Sequence, residues 1–374
     1  MKYVKEKRMR VRLQVLVTLI ALGGCTAFGQ GALNPRASYV DVTMRRAELK
    51  TASARVQEAV KALGSCSVLA PVEAPVGPIK IPMHYLHGGH GPTNPAEHAA
   101  TVPYALFEKR VTTGMNRFLA LGDLVEARCA QDQIDVWARA GALLDYDASE
   151  QRQSWYQVEW TLGAVAISES VLVNDTWLDK QEVARDLEWM NKVAHRMTEF
   201  QAATTQRNNH YYWRGLGALA TGTITGDRKL FDYGVQAFKD AVNEIDERGA
   251  FPQEMARSER SIHYQAFALQ PLLPIAELAE RQGVPLYAYK SKSGKTIADA
   301  IEFLGKAVAD PGAVKPYTQD EQLVDSDAPD FFAAIEFYTH RFPERKLPAA
   351  IAEGLKKPTY ATRLGGSTTA IAGR

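Results

Sequence analysis

Apolar positions recur at helical spacing along most of this chain. Val136-Trp137, Ala140 and Leu143-Leu144 form one such stripe, and Trp160, Ala164 and Ile167 another. A three-to-four-residue recurrence puts these side chains on one face of a 3.6-residue helix. On this pattern the sequence predicts helices over residues 106–120, 132–144, 155–173, 180–201, 210–221, 229–246, 261–281, 296–309 and 329–339. Ahead of them, 41–63 reads as a charged helix and 71–78, with three prolines and a glycine, as a breaker-rich connection. β-rich runs with clean alternation are absent. Helix after helix, joined by short breaks in a chain of 374 residues, predicts an all-α fold. Paired antiparallel helices wound into an incomplete α/α toroid suit that length better than one small bundle. No fixed-period repeat is legible, which disfavours a solenoid.

The N-terminus breaks the pattern. Lys2, Lys5, Lys7, Arg8, Arg10 and Arg12 precede a short apolar core from Leu13 to Leu22, the layout of a secretory signal. Residues 1–29 are therefore expected to be removed, leaving 30–374 as a single domain. Ala27-Phe28-Gly29 offers a small-x-small cleavage site for soluble release. Leu22-Gly23-Gly24-Cys25 offers a lipobox that would leave a lipid on Cys25. Soluble release is the favoured route, and the apolar run is short for a membrane anchor. The expected location is periplasmic or secreted, and the expected state a monomer.

Processing changes the electrostatic picture. Residues 1–30 carry six basic side chains and one acidic, so the formal +1 of the whole chain becomes −4. That argues against nucleic acid as a partner. A polyanion would need basic residues focused locally, and Arg207, Arg214, Arg257 and Arg260 stand in two short stretches. Two cysteines remain beyond Cys25, and export to an oxidising compartment predicts a Cys66–Cys129 disulfide. No clustered metal-ligand spacing occurs. The run His84-Tyr85-Leu86-His87-Gly88-Gly89-His90-Gly91-Pro92 could suggest a metal site, but its glycines favour an irregular, mobile loop.

Two stretches carry the candidate chemistry. Arg207-Asn208-Asn209-His210-Tyr211-Tyr212-Trp213 holds too many polar groups for a core and too many aromatics for a free loop. It suits a sheltered cleft. A helix capped by Asn208 or Asn209 would place His210 and Trp213 on one face. Downstream, Arg257, Arg260 and Tyr264 stand at i, i+3 and i+7. On a continuous helix they share a face, and the cations would favour phenolate at Tyr264. A third aromatic cluster, Trp155-Tyr156-Gln157-Val158-Glu159-Trp160, serves equally as core or as a platform for sugar rings.

Together, Asn-Asn-His-Tyr-Tyr-Trp at 208–213, Glu-Met-Ala-Arg at 254–257 with His263-Tyr264, and Arg363-Leu364-Gly365-Gly366 resemble the alginate lyases of polysaccharide lyase family 5. The resemblance runs from about Pro82 to Gly366 and implies an α/α toroid that cleaves poly-mannuronate. Some relatives accept other polyuronates such as glucuronan. It further implies that Asn209 and Arg257 neutralise the uronate carboxylate. His210 would sit at the reacting ring, and Tyr264 would act as acid and, for mannuronate, also as base. Trp213, Arg260, His263 and Arg363 become substrate contacts or their supports; Tyr156, from the aromatic cluster, is a further candidate contact or a core residue. No metal or organic cofactor is implied. The family carries a lysine on a lid-like loop, whereas this chain has none between Ile81 and Lys109. His87 or His84 is the candidate stand-in, and a non-catalytic polyuronate-binding protein on the same toroid is the second reading.

Overall fold

The computed structural model describes residues 31–87, 90–173, 177–200 and 207–374. The leader, with Cys25 and both processing sites, lies outside the described residues, as do Gly88 and Gly89. Where one charged helix was expected over 41–63 there are two, α1 (Val42–Glu48) and α2 (Ala54–Lys61), separated by extended backbone at Ala52 and Ser53. The two helices answer to different neighbours. Arg45 of α1 is buried and donates to the C-terminal carbonyls of Thr369, Ala370 and Gly373. Val56 of α2 packs instead with Leu49 and Ala120. The His/Gly-rich stretch, expected to be irregular, forms an antiparallel hairpin of β1 (Tyr85–His87) and β2 (His90–Thr93), with Tyr85 opposite Thr93.

The long helices follow. They are α3 (Pro95–Leu121), α4 (Leu124–Arg139), α5 (Arg152–Leu172), α6 (Lys180–Glu199), α7 (Asn209–Thr225) and α8 (Arg228–Glu244). After the single turn α9 (Pro252–Met255) come α10 (Ser261–Arg281) and α11 (Ile297–Ala309), then the short α12 (Ile335–Arg341), α13 (Ala349–Gly354) and α14 (Thr368–Ala372). The starts are chemically marked. Asn94, Asp123, Asp179, Asn208 and Asp227 each accept a backbone N–H of the first turn. Helix α3 begins eleven residues before the expected 106, because Asn94-Pro95 starts it and Pro103 is tolerated inside. Helix α4 ends five residues before the expected 144, where Gly141 and Leu143 take positive φ. In place of a helix from 329, turns precede α12.

Helices pack as pairs, α3 with α4, α5 with α6, α7 with α8 and α10 with α11. The first members also pack in series, α3 on α5, α5 on α7 and α7 on α10, while α4 packs on α6 behind them. Burial separates the layers. Helices α5 and α10 are buried along almost their whole length. Helix α6 buries one stripe, Asp186, Trp189, Met190, Val193, Ala194 and Met197. This is an α/α toroid with α3, α5, α7 and α10 inside. The α7–α8 pair is especially close: a Cβ at Gly234 would collide with Leu219, and one at Gly215 with Ala237. A disulfide joins Cys66 to Cys129, tying the N-terminal segment to α4.

Glu169 on α5 and Asp186 on α6 are fully buried. Asp186 accepts from Gln131, whereas neither oxygen of Glu169 has a hydrogen-bond partner among the described residues. Burial pushes the Glu169 carboxyl up to about 8. Burial, and then the neighbouring Glu169 and Asp135, push Asp186 up to about 9. These groups hold protons in the native state that the unfolded chain has already released. Their stabilisation is therefore complete below about pH 4 and is lost as pH rises through the folded values, by up to about 1.4 kcal/mol per pH unit for each proton. Glu169→Gln keeps the shape and removes one titration. Its unfolding free energy, measured by denaturant between about pH 5 and about pH 8, should fall less steeply than that of the parent. Parallel declines would contradict this account.

Candidate active site

One cleft, with a volume of about 480 Å³, gathers most of the motif residues. Its wall is made from the starts of the inner helices. Glu97 lies in the first turn of α3, Gln153 and Tyr156 near the start of α5, Asn209 and His210 at the start of α7, and His263 and Tyr264 at the start of α10. Four inner helices thus aim their N-terminal, partially positive ends at the same space. Tyr85 of β1, the turn carrying Arg257 and Arg260, Asp330 and Arg363 complete it.

Asn208 caps α7 by accepting from the His210 N–H at 3.2 Å. Asn209 is held from behind by Glu254 of α9, whose two oxygens accept from the Asn209 backbone N–H at 2.6 Å and from Nδ2 at 3.0 Å. Burial pushes the Glu254 carboxyl up to about 7, with Arg257 and the Asn209 donors pulling the other way. His210 stacks on Tyr156, ring centres 3.4 Å apart, with Nδ1 3.4 Å from Glu159 Oε2. The other oxygen of Glu159 is bound by the buried Arg214. Burial lowers the His210 pKa and outweighs the Glu159 carboxylate. The imidazole is neutral at neutral pH and can accept a proton.

The turn before α10 departs from expectation. Arg257, Arg260 and Tyr264 do not share a continuous helix, because α9 ends at Met255 and Ser258 has a φ of 55°. Side chains satisfy the broken backbone. Ser261 Oγ donates to the Met255 carbonyl at 2.8 Å, and Gln322 Nε2 donates to the Ser258 carbonyl at 2.9 Å. The turn folds Arg257 back so that its guanidinium lies 3.9 Å over the Tyr264 ring. Burial opposes the charge on Arg257, but Tyr264 and Glu254 more than offset it, so the guanidinium stays protonated. The Tyr264 hydroxyl meets the Tyr85 hydroxyl at 2.8 Å. His263 Nδ1 lies 3.0 Å from Asp325 Oδ2.

Arg363 enters from the C-terminal segment, its guanidinium 3.9 Å over Trp160. It is placed by the two glycines after it. Gly365 has a φ of +92°, and a Cβ there would strike the Tyr39 hydroxyl. Asn116 of α3 pins the turn by donating to the Gly365 carbonyl and accepting from Ser367 N–H at 2.9 Å. Among the described residues, Arg257, Arg260 and Arg363 have no carboxylate in ion-pair contact, although all three line the cleft.

Other expected residues lie elsewhere. Trp213 is fully buried against Phe267 and does not line the cleft, because one turn along α7 from His210 its own position faces the core. Any role it has is support. His87 is exposed on β1 and is not in the wall. His84 is, with Nδ1 3.3 Å from Glu97 Oε2. Arg207 is exposed and 3.6 Å from Asp240, and Arg214 is buried on Glu159, so neither adds positive charge to the cleft. Among the described residues no three His, Cys, Asp or Glu side chains converge as a metal site.

Glu254, Glu159 and Tyr85 were not singled out from sequence. Glu254 stands inside the 251–264 stretch and Glu159 inside the aromatic cluster, so a search for buried carboxylates behind each candidate donor could have found them. Tyr85 had no such signal, being 179 residues from its partner.

A helical toroid whose cleft combines guanidinium groups that form no ion pair among the described residues, a neutral imidazole and a phenol suits a ligand that is an anionic chain. Comparison with known proteins makes the class specific. A family model described as Alginate lyase matches residues 48–314. A polysaccharide lyase of Stenotrophomonas maltophilia is 34% identical over 280 residues, covering 73% of this chain and 80% of that protein. An alginate lyase of Pseudomonas aeruginosa is 28% identical over 275 residues, covering 71% and 73%. Among solved structures, alginate lyase A1-III from Sphingomonas species A1 superposes with a TM-score of 0.84 at 37% identity, covering 93% of this chain and 99% of that one. A variant of alginate lyase A1-III complexed with tetrasaccharide gives 0.86 at 36%, with the same coverage. The chain belongs to the alginate lyase family.

The Gly365 turn gives a direct test of how Arg363 is placed. Gly365→Ala forces a side chain into a positive-φ position against Tyr39, and should destabilise the fold by about 1–3 kcal/mol. It should also weaken binding of a polyuronate by displacing Arg363. Thermal unfolding and a binding titration check both parts; a variant equal to the parent in both would show that the turn does not set the arginine.

Proposed function

We propose that this protein cleaves 4-linked polyuronate, with the poly-mannuronate of alginate as its substrate, by β-elimination that leaves an unsaturated uronate end. One observation carries the reading: three guanidinium groups that form no ion pair among the described residues share a cleft with the Tyr264 hydroxyl and the Asn209 amide. Elimination needs the uronate carboxylate neutralised while the C5 proton leaves, because the charge that develops spreads onto that carboxylate. Arg257 and the Asn209 Nδ2–H supply donors at one place. It also needs a base for the C5 proton and an acid for the leaving O4. In mannuronate these atoms lie on one face of the ring, so one group can serve both. Tyr264 suits that double role, with the Arg257 guanidinium 3.9 Å over its ring and the Tyr85 hydroxyl as a hydrogen-bond partner at 2.8 Å. His210, neutral and stacked on Tyr156, faces the reacting ring as a further acceptor. Arg260 and Arg363 hold neighbouring uronates, and the apolar faces of Tyr156 and Trp160 can carry sugar rings.

Two further points belong to the same proposal. The N-terminal leader and the disulfide support export; release as a soluble monomer is part of the proposal. His84, beside Glu97 in the cleft wall, takes the place on the substrate side that the missing loop lysine leaves.

Tyr264→Phe removes only the phenolic oxygen. Turnover should fall by about 10²–10⁴-fold or more, since one group does both proton transfers, while affinity for poly-mannuronate changes little. A folded variant forming unsaturated product at near the parental rate would remove Tyr264 from the chemistry. Binding should also weaken with salt, because exposed guanidinium–carboxylate contacts are screened over about 8 Å at physiological ionic strength. Affinity that stays flat from low to high salt would rule out the arginine cleft as the binding determinant.

A further inference from the structure

Asn209 can present either end of its amide to a ligand, and only one end serves. Nδ2 donates to a carboxylate; Oδ1 would repel it. The choice is made behind the residue. Glu254 is buried, 1% exposed, and takes the Asn209 backbone N–H on one oxygen and Nδ2 on the other. An ionised carboxylate has no proton to give, so the amide end that meets it must be Nδ2. That nitrogen carries two hydrogens. Glu254 holds one, and the other remains for a ligand in the cleft. Oδ1 is left buried with no partner among the described residues, an arrangement the amide would not choose without the carboxylate.

We propose that Glu254 is a positioning residue of the reaction, fixing the Asn209 amide so that an Nδ2–H is delivered to the uronate carboxylate. This rests on the lyase reading above. The charged and titratable groups facing Glu254 are Arg257 on the following turn and Tyr212 on α7. Once Glu254 takes up a proton, its O–H becomes a donor, Asn209 Oδ1 becomes the better partner, and the amide is free to turn. The alignment therefore weakens on the acid side of neutrality. The rival account is purely structural: Asn209 is the first residue of α7, and Glu254 would merely satisfy an N–H left open at a helix start.

A double-mutant cycle separates the two. In Glu254→Gln the side-chain oxygen can still accept the backbone N–H, so the cap survives. Its Nε2 now faces Asn209 Nδ2, two donors together, and the amide must turn over. The measurements are kcat and KM on poly-mannuronate across pH for the parent, Glu254→Gln, Asn209→Ala and the double variant, with thermal unfolding alongside. Positioning predicts that Glu254→Gln loses tenfold or more in kcat with a smaller change in KM. The acid limb of the pH profile should flatten, and little further should be lost once Asn209 is alanine. Glu254→Asp, which keeps the charge, should regain part of kcat, and it carries the same cycle should Glu254→Gln not fold. Parental kcat in folded Glu254→Gln, or the same fold-loss with Asn209 absent, would overturn the proposal. The cycle is repeated on affinity for poly-mannuronate in the Tyr264→Phe background. A parent that binds but forms no product would sink the lyase reading. Even then, weakening by Glu254→Gln only when Asn209 is present would still support positioning, and equal weakening without it would refute it.

Discussion

Everything at the cleft depends on the direction in which the inner helices run. In an α/α toroid each inner helix is followed by an outer one that returns the chain, so α3, α5, α7 and α10 all begin at the same rim. A helix start leaves backbone N–H groups unpaired and carries partial positive charge. The rim is thus disposed toward anions before any side chain is chosen. The motif residues exploit that position. Asn209-His210 opens α7, His263-Tyr264 opens α10, and Tyr156 stands in the second turn of α5, each held by a rigid element.

The second layer is electrostatic division of labour. Two buried carboxylates stand behind the wall, while Glu97 and Asp330 line it. Glu254 holds Asn209, and Glu159 is shared between Arg214 and His210. Arginines in the motif stretches that lie outside the cleft are themselves paired, Arg207 with Asp240 and Arg214 with Glu159. Two of the three that face the cleft stack on aromatic rings, Arg257 on Tyr264 and Arg363 on Trp160. Stacking desolvates one face of a guanidinium and leaves its planar edge of donors free for a carboxylate. A chain with ordinary overall charge can present a cationic cleft in this way.

The helices were legible because their stripes are long and regular; α10 begins and ends at 261 and 281 as its pattern suggests. Boundaries failed where a local device overrides periodicity, as at Asn94-Pro95 or the positive-φ residues after α4. Asn209, His210, Arg257, Arg260, His263, Tyr264, Tyr156 and Arg363 were marked by residue type, and all line the cleft. The helical face assumed for Arg257, Arg260 and Tyr264 does not exist, yet the residues meet, because Ser261 and Gln322 stabilise a turn that spacing alone does not foretell. Tyr85 and Glu159 came from tertiary contact, which one sequence does not display. Trp213 misled because its own position on α7 faces the core.

The central claim concerns the bond-breaking step, and it is tested most directly on the parental protein with purified poly-mannuronate, poly-guluronate and glucuronan. Ultraviolet absorbance of the unsaturated uronate and release of reducing ends are followed together in each reaction. Elimination by Tyr264 predicts that poly-mannuronate gives both signals in equal molar amounts from the first minutes. Reducing ends without the ultraviolet signal would mean hydrolysis, and neither signal on any of the three would mean that the cleft binds without cutting; either result would contradict the account.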